Sequence, residues 1–136
     1  MPVTSKEKEK IAGVFSGACR QKKLCPVKDI MASYGDKWTM YTILLLGQNQ
    51  PMRFSELHQT ISGISQRMLT VTLRSLEQDG IVTRTNFAGS PPRVEYALTP
   101  LGETLLRQLL QLAGWAEANF AEIVKARKRY EKKQEH

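Results

Sequence analysis

Residues 63–80 read Gly-Ile-Ser-Gln-Arg-Met-Leu-Thr-Val-Thr-Leu-Arg-Ser-Leu-Glu-Gln-Asp-Gly, and this stretch decides the fold. Leu69, Leu73 and Leu76 recur at spacings of four and three, which places them on one side of an α-helix. The other side carries Gln66, Arg67, Thr70, Val71, Arg74 and Gln78. Gly63 breaks the preceding segment. Ser65 is a good N-cap, because its hydroxyl can accept from a first-turn amide, and Gly80 suits the position just past a helix end. The pattern predicts a helix over 66–79, with its leucine side held against a core and its polar side facing out.

Upstream, Arg53-Phe54-Ser55-Glu56-Leu57 begins a short helix in which Phe54, Leu57 and Ile61 stand at i, i+3 and i+7. Before it, Asp36 caps a helix with Trp38, Tyr41 and Leu45 on one face, and with Ile43, Leu44 and Leu46 filling out a buried element; Gly47 and Pro51 end it. Cys25-Pro26 opens an earlier helix that reaches about Ser33, since Pro is well tolerated at the first helical position, and Gly35 stops it. Ser5 caps a helix through about Ala18, with Ile11, Val14, Phe15 and Ala18 at helical spacing, and a basic connector follows. Downstream of Gly80, strands are expected over Ile81–Phe87 and Arg93–Leu98, joined by the turn Ala88-Gly89-Ser90-Pro91-Pro92. Thr99-Pro100 then caps a long helix with Leu101, Leu105, Leu109, Leu112, Ala116, Phe120 and Val124 at spacings of three or four. Leu106, Leu110, Trp115 and Ile123 lie off that stripe, and this surplus apolar surface suggests another chain. The order is that of a winged helix-turn-helix: a mainly α chain of α+β type, with a small β-hairpin wing and terminal helices available for dimerisation.

The 136 residues suit one domain, or one domain with extended arms, and 41% hydrophobic with 24% charged residues excludes a disordered chain. The net charge is +7, with an isoelectric point near 9.6. Its distribution is uneven: residues 1–24 carry +4, residues 25–100 carry +1 and residues 101–136 carry +2. A nucleic-acid partner is the usual reading of such a charge, and solvated basic tails are the competing one. The nearly neutral middle means that any DNA contact there depends on placement. The longest uncharged run, Trp38 to Met52, is too short and polar for a bilayer, where ~20 apolar residues are needed. Lys and Glu alternate near the N-terminus without an apolar run, so no secretory signal is expected. Two cysteines make no disulfide framework, and the expected location is cytoplasmic.

The helix over 66–79 has what a DNA reader needs. A helix fixed by its leucines can put its N-terminal outer face into a major groove ~12 Å wide. Gln66 can pair with an adenine edge and Arg67 with guanine, while Thr70 and Arg74, further along, suit a base methyl or a phosphate. Ser65 and the helix N-terminus can hold a phosphate through backbone N–H groups. Arg84, Asn86 and Arg93 on the hairpin would reach flanking backbone or minor groove. Taken singly, each of these residues also fits an ordinary solvated surface; the constellation points further than its members do. The organisation is then a basic arm over 1–24, a DNA-binding domain over 25–99, and a dimerisation helix with a basic tail over 100–136.

The sequence resembles the HxlR-type transcriptional regulators, relatives of the MarR-like winged helices. The resemblance is carried by Cys25-Pro26-Val27, Gly35-Asp36-Lys37-Trp38-Thr39, Arg53-Phe54-Ser55-Glu56-Leu57 and Gly63-Ile64-Ser65-Gln66-Arg67-Met68-Leu69-Thr70. It continues through Leu73, Leu76-Glu77, Asp79-Gly80, Pro91-Pro92-Arg93-Val94-Glu95-Tyr96, Leu98-Thr99 and Leu101-Gly102, and covers about residues 25–118. It implies a homodimeric regulator that binds double-stranded DNA at a near-palindromic operator, with the terminal helices forming the dimer interface. Carried over by position, Ser65, Gln66, Arg67 and Thr70 become recognition-helix contacts and Arg93 a wing contact; Arg53 and Ser55, from a shared motif, join the candidates. Val71-Thr72 departs from the family, which commonly has polar or basic residues there. The basic tail after Ala118 is outside the shared pattern.

Cys25 lies before Pro26 at an expected helix start, where the helix dipole and Lys22, Lys23 and Lys28 favour the thiolate. The resemblance adds that several such regulators look like thiol sensors using a cysteine at this position, with Cys19 as a candidate resolving thiol. A small buried hydrophobe is the alternative for Cys25. Zinc is not expected, since Cys19 and Cys25 have no CxxC spacing and no nearby His. His58 is the one internal histidine, too few for a Ser/His/Asp or Cys/His arrangement, and Gly89-Ser90 lacks the pattern of a phosphate loop. Nothing argues for an enzyme or a cofactor. Two other readings stay open: the same scaffold regulated by a small apolar ligand at the dimer interface, and a protein-interaction module that never reads DNA.

Overall fold

The computed structural model describes residues 2–15 and 26–135. Their elements, in chain order, are α1 (Ser5–Val14), α2 (Pro26–Tyr34), α3 (Lys37–Asn49), β1 (Met52–Arg53), α4 (Phe54–Thr60), α5 (Gln66–Gln78), β2 (Val82–Phe87), β3 (Arg93–Leu98) and α6 (Pro100–Gln134). These residues fall into two compact units that divide after Met40.

In the first unit, Thr4 and not Ser5 caps α1. Its hydroxyl accepts from the Glu7 amide at 3.2 Å, and the Glu7 carboxylate accepts from the Thr4 amide at 2.8 Å. This reciprocal pair satisfies two donors at once, which a cap at Ser5 would forgo. The helix as described ends at Val14; the expected extension to Ala18 lies outside the described residues. Pro26 occupies the first position of α2, and the Asp36 carboxylate accepts from the Thr39 amide at 2.9 Å, so it caps α3 as expected.

In the second unit, the remainder of α3 buries Thr42, Ile43 and Leu46. Gly47 does not end this helix, which runs on to Asn49. A Cβ at Gly47 would come within 2.6 Å of the Leu106 side chain on α6, so the glycine serves a close helix approach. The expected pair of strands is a three-stranded antiparallel sheet in the order β1-β3-β2. Arg53 belongs to β1, paired with Glu95, and α4 starts one residue later with the Glu56 carboxylate accepting from the Arg53 amide at 3.0 Å. A two-residue strand leaves no readable alternation, which is why its sequence gave no signal.

The core of this unit is built from Leu57, Ile61, Ile64, Leu69, Leu73, Leu76, Ile81, Val82, Tyr96 and Leu98. Each fully buried leucine contributes ~1.5–3 kcal/mol, so the leucine side of α5 anchors that helix firmly. Ile81 precedes β2 and does not join it: its amide donates to Leu76 O at 2.9 Å, and its carbonyl accepts from the Thr99 amide at 3.0 Å. The Thr99 hydroxyl caps α6 by accepting from the Gly102 amide at 2.9 Å, with Pro100 next in line. Leu101, expected on the inward stripe, is 56% exposed because Gly102 takes the place against Ile81. α6 extends for 35 residues, through most of the basic tail. The result is a mainly helical winged helix-turn-helix whose wing is the β2–β3 hairpin.

Candidate nucleic-acid interface

The candidate surface begins at the N-terminus of α5. The Ser65 hydroxyl accepts from the Met68 amide at 3.0 Å and closes the cap that its residue type suggested. Leu69, Leu73 and Leu76 are 0–2% exposed, whereas Gln66, Arg67 and Arg74 are exposed. The helix is therefore divided along its length as its sequence indicates. Thr70 is half-buried and its hydroxyl donates to Gln66 O at 2.8 Å, so its donor is spent within the helix. What it retains for a partner is an acceptor and a methyl group. Val71 is exposed and Thr72 is buried, so the middle of the outward face presents an apolar side chain.

The hairpin does not present its candidates together. Arg84 pairs with Tyr96 and Asn86 with Val94, and alternation puts both on the same face of the sheet as buried Val82. Arg84 and Arg74 line one cleft of about 340 Å³ between α5 and the sheet, with Phe54, Thr70, Glu77 and Tyr96. Arg93 lies on the opposite face. Its Nε is 3.1 Å from the Glu95 carboxylate, and its guanidinium sits 4.7 Å from the Phe87 ring. Arg53, opposite Glu95 in the neighbouring strand, shares that face. Ser55 is exposed on the first turn of α4. The sequence reading missed Phe87 and Glu95 as supports for Arg93, and Glu77 beside Arg74. The cross-strand register Phe87↔Arg93 is the signal that finds the first.

His58 is stacked on Phe54 with ring centroids 6.3 Å apart, a packing role. Cys19 and Cys25 lie outside the described residues. Among the described residues, no group of three or more His, Cys, Asp and Glu side chains is placed to hold a metal, and no helix is long and apolar enough to cross a membrane.

A helix after a short helix and turn, backed by leucines and flanked by a hairpin, defines the winged helix-turn-helix class. The match to known proteins specifies which kind. The model of the HxlR-like helix-turn-helix family matches residues 33–124, and the chain belongs to that family. It is 37% identical over 103 residues to the HTH-type transcriptional regulator YtfH of Escherichia coli, covering 76% of this chain and 81% of that one. The structure of the transcriptional regulator ytfH from Salmonella typhimurium superimposes with a TM-score of 0.70 at 34% identity, covering 79% of this chain and 95% of that one. The redox regulator HypR in its reduced form gives a TM-score of 0.67 at 38% identity, covering 74% of this chain and 98% of HypR.

Proposed function

We propose that the protein is a sequence-specific duplex-DNA-binding regulator that acts as a homodimer on a near-palindromic operator in the cytoplasm. The observation that carries this reading is the division of α5: three leucines at 0–2% exposure on one side, with Gln66 and Arg67 exposed in the first turn beyond the Ser65 cap. Arg67 is the base-reading residue, with Gln66 beside it and the Thr70 methyl suited to a thymine. Arg74 and Arg84 grip backbone from the α5–wing cleft, and Ser65, Asn86, Arg93, Arg53 and Ser55 add flanking contacts. Residues 25–99 serve as the DNA-binding domain, with the arm over 1–24 and the helix over 100–124 serving assembly, and the basic tail runs on from there to residue 136. Exposed Leu112, Trp115 and Phe120 on α6 supply apolar surface for a two-fold partner. Recognition helices about one DNA turn apart, roughly 34–36 Å, then require an inverted repeat. Enrichment of duplexes from a randomised pool tests the reading: an inverted repeat should emerge, and a pool that stays random contradicts it. Sedimentation should show a dimer at micromolar concentration.

The effector reading follows from the likeness to HypR, a redox regulator. In the sequence Cys25 stands directly before Pro26, the first residue of α2, and Lys28 lies within that helix's first turn. Oxidation of Cys25, resolved by Cys19, weakens operator binding in this account. Diamide should release the operator from the parent and not from Cys25→Ser. A Cys25→Ser protein that still releases DNA on oxidation contradicts it, and a parent that holds its operator under diamide with or without reductant favours a small apolar effector instead.

A further inference from the structure

α6 does not stop where the family match ends at Val124; it continues as helix to Gln134. Within that extension Lys125, Lys128, Arg129, Lys132 and Lys133 follow at i, i+3, i+4, i+7 and i+8, which is the spacing of a single helix face. All five are exposed, and among the described residues none is in an ion pair. Glu131 stands off this face, Glu122 lies a turn before it and Glu135 follows the last helical residue. Like charges at i, i+3 and i+4 repel one another, so the stripe opposes the helix that displays it unless a polyanion answers it. The DNA-binding module proper is nearly neutral, so this is a concentration of cationic surface apart from α5 and the wing.

From this placement, and resting on the duplex-binding reading above, we propose that the stripe is a second, sequence-blind contact for the phosphate backbone of duplex DNA, outside the bases that α5 reads. Charge complementarity selects a polyanion. From Lys125 to Lys133 the stripe spans ~12 Å of helix, the axial rise of three to four base pairs. A membrane surface is the poorer occupant, because the apolar side of this segment holds only Ile123, Ala126 and Tyr130, while a helix lying in a bilayer interface needs a broad apolar face. Lys132 and Lys133 also complement the negative end of the helix dipole, a structural role that the test must separate.

The experiment compares the full chain with a variant carrying Gln at all five positions, and with one in which the four lysines become Arg. Duplex affinity is measured between ~50 and ~200 mM salt, on cognate and random sequences of equal length. Each phosphate contact contributes about 0.9 to the slope of log affinity against log salt, so the Gln variant should lose about 2 to 4.5 units of slope per chain. Its cognate-to-random ratio and sedimentation should match the parent, and the Arg variant should keep the parental slope. An unchanged slope overturns the proposal, even if the Gln variant melts lower, because that leaves only the helix-dipole role. A change in oligomeric state overturns it too, by assigning the stripe to assembly. Parental binding to anionic vesicles alongside an unchanged DNA slope overturns it in favour of a membrane. A slope loss in the Gln variant, beside a parent without any sequence preference, fails the α5 reading and keeps the stripe.

Discussion

Replacing Gly102 and Gly114 by alanine, in the same helix α6, should move stability in opposite directions. Gly114 has no atom within 4 Å of where a Cβ would stand, so alanine there collects only its greater helix propensity, ~0.5–1 kcal/mol. Gly102 is buried, and a Cβ on it would overlap the carbonyl oxygen of Ile81 while touching the carbonyl carbon at 3.2 Å and Cγ2 at 3.3 Å. That oxygen is already held, accepting from the Thr99 amide at 3.0 Å, while the Thr99 hydroxyl donates to the adjacent Gly80 O at 2.6 Å. Backbone on both sides cannot yield as a flexible side chain would. Overpacking of this kind costs ~1–3 kcal/mol, and moving the helix start away from Ile81 loses about 1 kcal/mol per hydrogen bond. Against the propensity gain of ~1 kcal/mol, Gly102→Ala should be destabilising by about 1–3 kcal/mol. Urea unfolding at one protomer concentration reads both variants, since assembly would otherwise shift the midpoints. A Gly102→Ala protein as stable as the parent would show that the Ile81–Thr99 junction is not the fixed point described.

Ser65→Ala should lose ~1 kcal/mol of stability through its cap on Met68, and Ser65→Asp should restore most of it; thermal melts of the pair check this. Arg93→Ala should weaken binding to all duplexes alike and reduce the salt slope by about one unit, because its guanidinium is fixed on Phe87 and Glu95 at the wing and reads no base. Salt titrations on cognate and random duplexes show whether the loss is uniform.

The fold was legible at most places where one residue carries a local physical role, though the cap of α1 is Thr4 and not Ser5. Ser65, Asp36 and Thr99 announce helix starts by side-chain oxygens that accept first-turn amides, and all three do so. The leucine spacing of α5 specified its buried side, because period and burial are the same statement for an amphipathic helix. What failed to show depends on distant partners. Gly47 looks like a helix stop until Leu106 is known to lie against it. β1 is two residues long and exists only through β3. The candidate surface followed the same rule. Gln66 and Arg67 could be placed from helical phase alone, whereas the separation of Arg93 from Arg84 across the hairpin emerged only with the strand register. Thr70, read in the sequence as suiting a base methyl or a phosphate, is an exception of short range: its hydroxyl donates to Gln66 O one turn back.

The central claim is that the exposed first turn of α5 reads bases, and one ratio tests it most directly. The affinity of Arg67→Ala for the selected inverted repeat should be measured against its affinity for a random duplex, at one salt concentration, beside the parent. Loss of a bidentate base contact costs ~1–3 kcal/mol at the cognate site alone, so the ratio should fall roughly 5- to 150-fold while random-duplex affinity changes little. An unchanged ratio, with both affinities lowered together, would make Arg67 a backbone contact and contradict the assignment of α5 as the reading helix.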